Sequence, residues 1–450
     1  MKKQITLLLM MTIAVINAQL TVQGRYLKDL NGNNLLLRGV NVPIYGNGWS
    51  SDLIPVADAI KNNTKSNAVR ILWYSPAIQN TIGNPPYYAS LANLDAAITA
   101  YANRGMISIV FLRDLTVLHD NTVAGFNNYV IPFWTNPAVV NMINNHKNHV
   151  IINLMNEWGA TWDANSLGGA NGQNVYINTY SNAVNQIRAA GVTVPIMIDA
   201  PDGGANSNFV IATGQNIINN DPLNRILFSV HSYWSQENGH IVNCPQDYIT
   251  KLDAMKNSNL PFVLGEATGW APKGSNGQEI ESTPPVNFVC PSTASPNNYA
   301  INYDALLTRA VTNDIGFLAW NWYQDGLKVR CIYDQATGLS QNTSPNAGSW
   351  PTDILSSTKV YGLNYATLSS SEVNKDKIEV VPNPSTGNFR IIGNPKISTV
   401  HVFDSSGRKT NVSTIAKNHY KIENPTNGIY FIYIETESGK KINEKIIVHQ

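Results

Sequence analysis

Between residues 35 and 322 the chain carries eight short, nearly continuous apolar runs. They are Leu35–Val42, Ala68–Trp73, Ile107–Asp114, Val150–Trp158, Pro195–Pro201, Ile226–Tyr233, Pro261–Thr268 and Gly316–Trp322. Continuous rather than alternating runs are what strands buried on both faces of a parallel sheet require. Helical periodicity fills the gaps. Leu91, Leu94, Ile98 and Tyr101 share one helical face, and Gly105 follows as a C-terminal stop. Val175, Ile177, Tyr180, Val184 and Ile187 mark another face, ending at Gly191. Eight βα units in about 290 residues predict an α/β fold of the closed (β/α)8 type, a TIM barrel. An open doubly wound sheet would need a glycine-rich phosphate loop after the first strand, and Gly39 followed by Val-Asn-Val-Pro does not supply one. Thr21 to Asn34, with Asn31-Gly32 as its turn, predicts a hairpin closing the barrel floor.

The pattern changes near residue 368. Leu368-Ser-Ser-Ser-Glu reads as a linker, and beyond it the period falls to two. Lys377–Val381, Asn388–Ile392, Thr399–Phe403, Ile429–Glu435 and Lys441–Val448 predict strands, with turns at Asn383-Pro384, Ser406-Gly407 and Asn427-Gly428. The expected organisation is a leader over 1–18, a catalytic barrel over 19–367, a linker over 368–375 and a small all-β sandwich over 376–450. At the start, Lys2 and Lys3 precede an apolar run from Ile5 to Ile16, then Asn17 and Ala18. That order is an export signal, and the run is too short to span a bilayer. A secreted or cell-surface protein without stable membrane insertion is therefore expected.

Charge adds an exclusion. Lys and Arg total 31 against 30 Asp and Glu, a formal net charge of +1, so a nucleic-acid partner is not expected. Only 14% of residues are charged, which suits a neutral ligand. Export permits a disulfide between two of Cys244, Cys290 and Cys331, leaving one thiol over. Their wide spacing lacks the clustering a metal site needs, and no metal or other cofactor is expected. All ten tryptophans lie between Trp49 and Trp350, so the C-terminal module is a poor candidate for sugar binding.

Functional groups on such a barrel sit at the C-terminal strand ends. Run two carries Arg70, run four ends Asn156-Glu157-Trp158, run six ends His231-Ser232-Tyr233, run seven carries Glu266 and run eight ends Trp320-Asn321-Trp322. Glycoside cleavage needs one carboxylic acid to protonate the leaving oxygen and a second carboxylate to attack the anomeric carbon or activate water. Glu157 and Glu266, on runs nearly opposite across the barrel, fit that demand. Arg70 would keep one glutamate ionised, and the other, less paired and more buried, would hold its proton.

On Ala68-Val-Arg-Ile, Val150-Ile-Ile-Asn-Leu-Met-Asn-Glu-Trp, Phe228-Ser-Val-His-Ser-Tyr, Val263-Leu-Gly-Glu and Gly316-Phe-Leu-Ala-Trp, residues 22 to 365 resemble glycoside hydrolase family 5. The resemblance implies a retaining enzyme with Glu157 as acid/base and Glu266 as nucleophile. It implies that Asn156 binds the sugar 2-hydroxyl, that Arg70 and Tyr233 partner the nucleophile, that His231 lies near the acid/base, and that Trp320 is the platform under the sugar. After strand three the family usually shows a His. Here Arg113 stands in that place, with His119 in the following loop, which bears on substrate detail. The stretches Val150 to Asp163 and Asn220 to Tyr233 look most like bacterial β-mannanases, with endo-β-1,4-glucanase as the alternative. Trp49, Trp73, Trp134, Trp158, Trp162, Trp234 and Trp270 fall at or near top-face ends or in loops, and some should line an open cleft. A catalytically inactive glycan-binding barrel and a metal-dependent hydrolase remain as readings of other classes. The C-terminal module resembles the type IX secretion sorting domain on Val381-Pro-Asn-Pro-Ser-Thr-Gly-Asn-Phe, Val402-Phe-Asp-Ser-Ser-Gly-Arg, Gly428-Ile-Tyr-Phe-Ile-Tyr-Ile and Lys445-Ile-Ile-Val. The implied partners are a plant cell-wall type β-glycan and the secretion machinery, and the protein is expected to be a monomer.

Overall fold

The structure, a computed structural model, describes residues 19–42, 49–78, 90–235, 240, 245–269, 301–322, 331–334, 339–340, 350–365, 379–381, 385–392, 397–416, 418–437 and 441–449. The leader over 1–18, the linker over 368–375, Cys244, Cys290 and Trp270 lie outside the described residues. Cys331 is buried. The chain divides into two compact units, Met1–Ser370 and Ser371–Gln450.

The first unit opens with a hairpin of β1 (Thr21–Gln23) and β2 (Tyr26–Lys28). Its turn is Gly24-Arg25, where Gly24 takes φ +56°, rather than Asn31-Gly32. Asn31-Gly32 instead shapes the return to Asn34, where the Asp29 carboxylate accepts from the amides of Asn31 and Asn33. Eight parallel strands follow: β3 (Arg38–Val42), β4 (Ala68–Trp73), β5 (Ile107–Leu112), β6 (Val150–Asn153), β7 (Ile196–Asp199), β8 (Ile226–His231), β9 (Phe262–Ala267) and β10 (Gly316–Ala319). They close in sequence order, with β10 pairing both β9 and β3. Every residue of these strands is buried, which is why the runs read as continuous rather than alternating. Several runs extend past the strand. Val150–Trp158 stops laddering at Asn153 and Gly316–Trp322 at Ala319, because the chain leaves the sheet there while staying buried.

Helices cover the outside. In Leu91–Ala102, Leu94, Ile98 and Tyr101 are buried, and in Gly172–Ala189 so are Tyr180, Val184 and Ile187. Inside the barrel the strands supply two chemistries. Ala68, Ile107, Ile151, Met197, Leu227, Val263 and Leu318 make an apolar cluster with Leu20 and Leu27 of the hairpin end, so the floor is hydrophobic. Further along the same strands stand Asn41, Arg70, Asn153, Asp199, His231 and Glu266, all buried. That polar layer is the base of the site. β11 (Tyr333–Asp334) and β12 (Leu339–Ser340) form a two-stranded addition.

The second unit has two four-stranded antiparallel sheets. One orders β13 (Glu379–Val381), β14 (Asn388–Ile392), β18 (His419–Ile422) and β17 (Val412–Ala416). The other orders β16 (Lys409–Thr410), β15 (Ile397–Asp404), β19 (Gly428–Thr436) and β20 (Lys441–Val448). Alternate residues Tyr430, Ile432 and Ile434 face inward and pack with Phe389, Ile391, Val402, Ile422 and Ile446. The sequence pattern misses β16, β17 and β18, which are short and rich in Lys, Ser, Thr and His.

Candidate active site

Arg70 organises the site. Its side chain has 0% exposure and all five N–H donors are used. Nε donates to Asn153 Oδ1 at 3.0 Å. Nη1 donates to Asn41 Oδ1 at 3.1 Å and Glu266 Oε1 at 2.7 Å, and Nη2 to Asn156 Oδ1 at 3.0 Å and Asp199 Oδ2 at 3.1 Å. The guanidinium carbon lies 3.6 Å from the centre of the Phe111 ring, a cation–π contact. A buried cation is tolerable only when fully partnered, and this one is.

Glu266, near the end of β9, is 4% exposed. Besides Arg70, it accepts from the Tyr233 hydroxyl at 2.6 Å on Oε2. Its other oxygen is thereby fixed against Arg70, so the carboxylate has one orientation. Glu157 is different. It follows the end of β6 with φ +54°, a left-handed conformation costing roughly 1–2 kcal/mol for a residue with a side chain. Its amide donates to Asp199 Oδ2 at 3.2 Å. Its side chain is 24% exposed, and Oε1 sits 2.7 Å from Nδ1 of His231.

His231 ends β8 opposite Glu266, beside a register shift that re-aims the strand end. Its ring is fully buried. Nδ1 lies 3.7 Å from Glu266 Oε1 as well as against Glu157, and Nε2 lies 3.3 Å from Asp199 Oδ2. Gly204 makes room for the ring: a Cβ there would stand 2.4 Å from His231 Cγ, and its φ of +76° suits glycine. Burial opposes a charge on the imidazole. The carboxylates of Glu266 and Asp199, with hydrogen bonding to Asp199 and Glu157, more than compensate, and raise its pKa to about 10. Burial likewise opposes ionisation of Glu157. The hydrogen bond and charge of His231, assisted by Arg113, outweigh it against Asp199, and the carboxyl is held below its usual range. This corrects the expectation of a less paired, more buried acid with a raised pKa: Glu157 is the more exposed glutamate, and it is paired with the His231 ring.

The remaining residues sort by contact. Asn156 is buried, with Oδ1 toward Arg70 and Nδ2 toward the Thr116 hydroxyl at 3.4 Å. Arg113 precedes the short helix Asp114–Leu118, and its charge reaches Glu157. His119 ends that helix and is exposed. Trp320 is 8% exposed and packs with Leu72, Tyr74 and Phe111, partly buried Tyr233 joining the same cluster. Of the seven tryptophans among which some should line a cleft, five have described side chains, and four of these are buried. Trp73, Trp134, Trp158 and Trp234 are at most 1% exposed, and all four belong to the main hydrophobic core. Trp134 donates to the Leu154 carbonyl and Trp234 to the Ala205 carbonyl. Trp162, at 74% exposed, is the tryptophan available to a ligand among these.

Three site residues escape the pattern-based reading: Asn41, Asn153 and Asp199. Each is a polar side chain inside or ending an apolar run, with both neighbours apolar or small, and that interruption is the signal that could have found them. One ligand atom each from Glu157, His231 and Glu266 lies within 4.8 Å of the others. All three are titratable groups within reach of one another, so the trio can exchange protons. Glutamate oxygens within that limit are nearer the separation of roughly 5–5.5 Å between carboxyl groups of retaining glycosidases than the roughly 6.5–9.5 Å of inverting ones.

Comparison with known proteins agrees with this geometry. Residues 28–326 match the family described as cellulase (glycosyl hydrolase family 5). Residues 379–449 match the secretion system C-terminal sorting domain, which makes the protein a secreted or cell-surface one. Among the described residues no helix is long and apolar enough to cross a membrane. The chain is 25% identical over 347 residues to a mannan endo-1,4-beta-mannosidase of Cellvibrio japonicus, covering 76% of this chain and 66% of that protein. It thus spans slightly under two thirds of that relative's length. A beta-mannanase/endoglucanase A of Caldicellulosiruptor saccharolyticus is 24% identical over 54% of this chain and 16% of its own. In fold, the chain is similar to a Streptomyces thermolilacinus beta-mannanase crystallised with mannohexaose, with TM-score 0.54, 21% identity, and coverage of 80% of this chain and 100% of that one.

Proposed function

The chain belongs to glycosyl hydrolase family 5, and on that premise we propose that it is a retaining, endo-acting hydrolase of β-1,4-linked mannan, with Glu266 as nucleophile and Glu157 as acid/base. The observation that carries the proposal is the pair of glutamates whose oxygens approach within 4.8 Å while their partners differ in kind. Glu266 is clamped by a guanidinium and a phenol, which suits a carboxylate held still for attack. Glu157 meets an imidazole, a group that exchanges protons, and is the more solvent-accessible of the two.

The chemistry then follows the double displacement. Glu266 attacks the anomeric carbon as Glu157 gives a proton to the departing glycosidic oxygen, and water, activated by Glu157, releases the sugar from the ester. Asn156 is placed by Arg70 and Thr116 to meet the sugar 2-hydroxyl, and Trp320 offers the apolar surface beneath the ring. Arg113 takes part in binding from the β5 end. The barrel acts as a monomer in this proposal, with a neutral plant cell-wall type β-glycan as ligand.

Mannan is favoured by the mannosidase relatives and the mannanase folds. An endo-β-1,4-glucanase is the second reading, supported by the relative named for both activities. Reducing-end release from mannan, carboxymethylcellulose and xylan, with and without chelator, tests both. Faster turnover of mannan, insensitive to chelator, is expected. Preference for carboxymethylcellulose would move the assignment to the second reading, and no release from any of them would refute hydrolysis.

A further inference from the structure

β7 contributes one side chain to the site, and that side chain meets Arg70, Asn153, Glu157 and His231. Asp199 is fully buried. Its Oδ2 accepts from Arg70 Nη2 at 3.1 Å and from the Glu157 amide at 3.2 Å, and lies 3.3 Å from His231 Nε2. Its Oδ1 accepts from Asn153 Nδ2 at 3.0 Å. The loop that follows also fixes the imidazole, since His231 N donates to the Gly204 carbonyl at 2.9 Å and the ring lies against Gly204. The ring therefore has one place to be.

In that place both ring nitrogens face carboxylates. A neutral imidazole would leave two buried-side carboxylates beside an uncharged ring, and with its proton on Nε2 it would turn the bare Nδ1 lone pair on Glu157. The imidazolium pairs with Glu157 through Nδ1 at 2.7 Å and holds its charge 3.3 Å from the Asp199 carboxylate, an ion-pair contact in which Nε2 makes no hydrogen bond. The resting site thus keeps Glu157 as a carboxylate, and the acid needs a source for its proton.

We propose that Asp199 is a positioning residue whose carboxylate keeps His231 as the imidazolium from which Glu157 draws the proton it gives to the leaving sugar. This rests on the roles proposed for Glu157 and Glu266. In the first step the Nδ1 proton passes to Glu157 and a proton passes from Glu157 to the glycosidic oxygen. The C–O bond breaks with its electron pair on that oxygen, and a Glu266 oxygen bonds to the anomeric carbon. His231 is left neutral, with its remaining N–H at Nε2, 3.3 Å from Asp199 Oδ2. In the second step Glu157 takes a proton from water, the water oxygen bonds to the anomeric carbon, and the ester bond's electron pair returns to Glu266. The proton then goes back to Nδ1, and charge and atoms balance over the cycle.

Among the described residues, the charged groups around this device are few. Arg70 faces Asp199, Glu266 lies 3.7 Å from Nδ1, and the Arg113 charge bears on Glu157. Tyr176 donates to the backbone carbonyl of Asp199 at 2.9 Å. The raised pKa of His231, to about 10, agrees with the geometry.

The test is the pH dependence of kcat/KM on soluble mannan together with an NMR titration of the His231 ring, in the wild type and in Asp199→Asn. The wild-type ring should stay an imidazolium at pH 8. In Asp199→Asn the ring titration and the basic limb of kcat/KM should both move down by about 1–3 pH units, the effect of losing one adjacent carboxylate. The double variant Asn153→Asp/Asp199→Asn returns a carboxylate one side chain away and should move the limb back upward. A uniform loss of activity with an unmoved basic limb would reduce Asp199 to a structural support and overturn the proposal. So would a neutral His231 at pH 7 in the wild type, a result that needs no variant to fold. Failure of the parent reading looks different: Glu157→Ala and Glu266→Ala would then keep near-native turnover, whatever the ring titration gives.

Discussion

Replacing Arg70 with Met removes the cation and keeps most of the side-chain volume. It leaves Glu266 and Asp199, at 4% and 0% exposure, without a guanidinium, and leaves the oxygens of Asn41, Asn153 and Asn156 without that donor. Breaking a buried ion pair by deleting one partner costs about 3–5 kcal/mol, because the other charge stays buried. Unfolding entropy near 2.1 cal/mol/K per residue, over roughly 350 residues of the barrel unit, is about 0.7 kcal/mol/K, so Tm should fall by about 4–7 °C. The loss should be smaller at acid pH. Asp199 has its folded pKa depressed, with burial opposing and His231 and Arg70 causing it. Its stabilisation is present above its unfolded pKa of about 3.9 and fades as pH drops toward the folded value. Turnover should drop at least about 100-fold, since Glu266 loses its orienting partner. Calorimetry across pH with initial rates on soluble mannan checks this. A Tm within about 1 °C of wild type, or kcat/KM within about tenfold, would refute the claim that Arg70 is the hub of the site.

Three further outcomes follow from the same structure. His231 has a folded pKa raised to about 10, so its ionic stabilisation is full below about pH 6.5 and lost as pH rises through 10. The Tm gap between wild type and His231→Gln should shrink over that window in calorimetric scans, and a constant gap would count against a charged ring. Trp162→Ala should raise KM on polysaccharide about 3–30-fold with little change on a small aryl glycoside, since stacking contacts contribute about 0.5–1.5 kcal/mol or somewhat more; equal effects on both substrates would remove Trp162 from the cleft. Deleting residues 371–450 should leave turnover within about twofold while stopping delivery to the surface or medium, read by activity in cell fractions. Loss of most activity would show that the barrel unit depends on the sorting domain.

The barrel was legible because its strands are buried on both faces, so burial writes itself as unbroken apolar runs. Strand ends were not, because Leu154 to Asn156 are as buried off the ladder as on it. Glu157, Glu266, His231 and Tyr233 were legible from their places at run ends, and the structure brings them together. Asp199 was hidden because one aspartate ending Ile-Met-Ile-Asp reads equally as a strand terminator. Which tryptophans stay exposed, as Trp162 does, is hidden for a related reason. A large ring with one N–H fits a loop base, where a backbone carbonyl satisfies it, as readily as a sugar face, and sequence position does not separate the two. The paired state of Glu157 was also out of reach. It depends on a left-handed backbone at Glu157 and on Gly204 admitting the His231 ring, neither of which any local pattern announces.

The division of labour between the two glutamates is tested most directly by azide rescue with product anomers read by NMR. On an aryl glycoside with a good leaving group, Glu266→Ala should be inactive until azide takes the place of the nucleophile, giving a glycosyl azide of inverted configuration. Glu157→Ala should still form the glycosyl-enzyme, because that leaving group needs no proton, and azide should then release a product of retained configuration. Swapped anomeric outcomes would reverse the two roles, and near-native rates in both variants without azide would contradict the assignment of this site as the place where the glycosidic bond is cut.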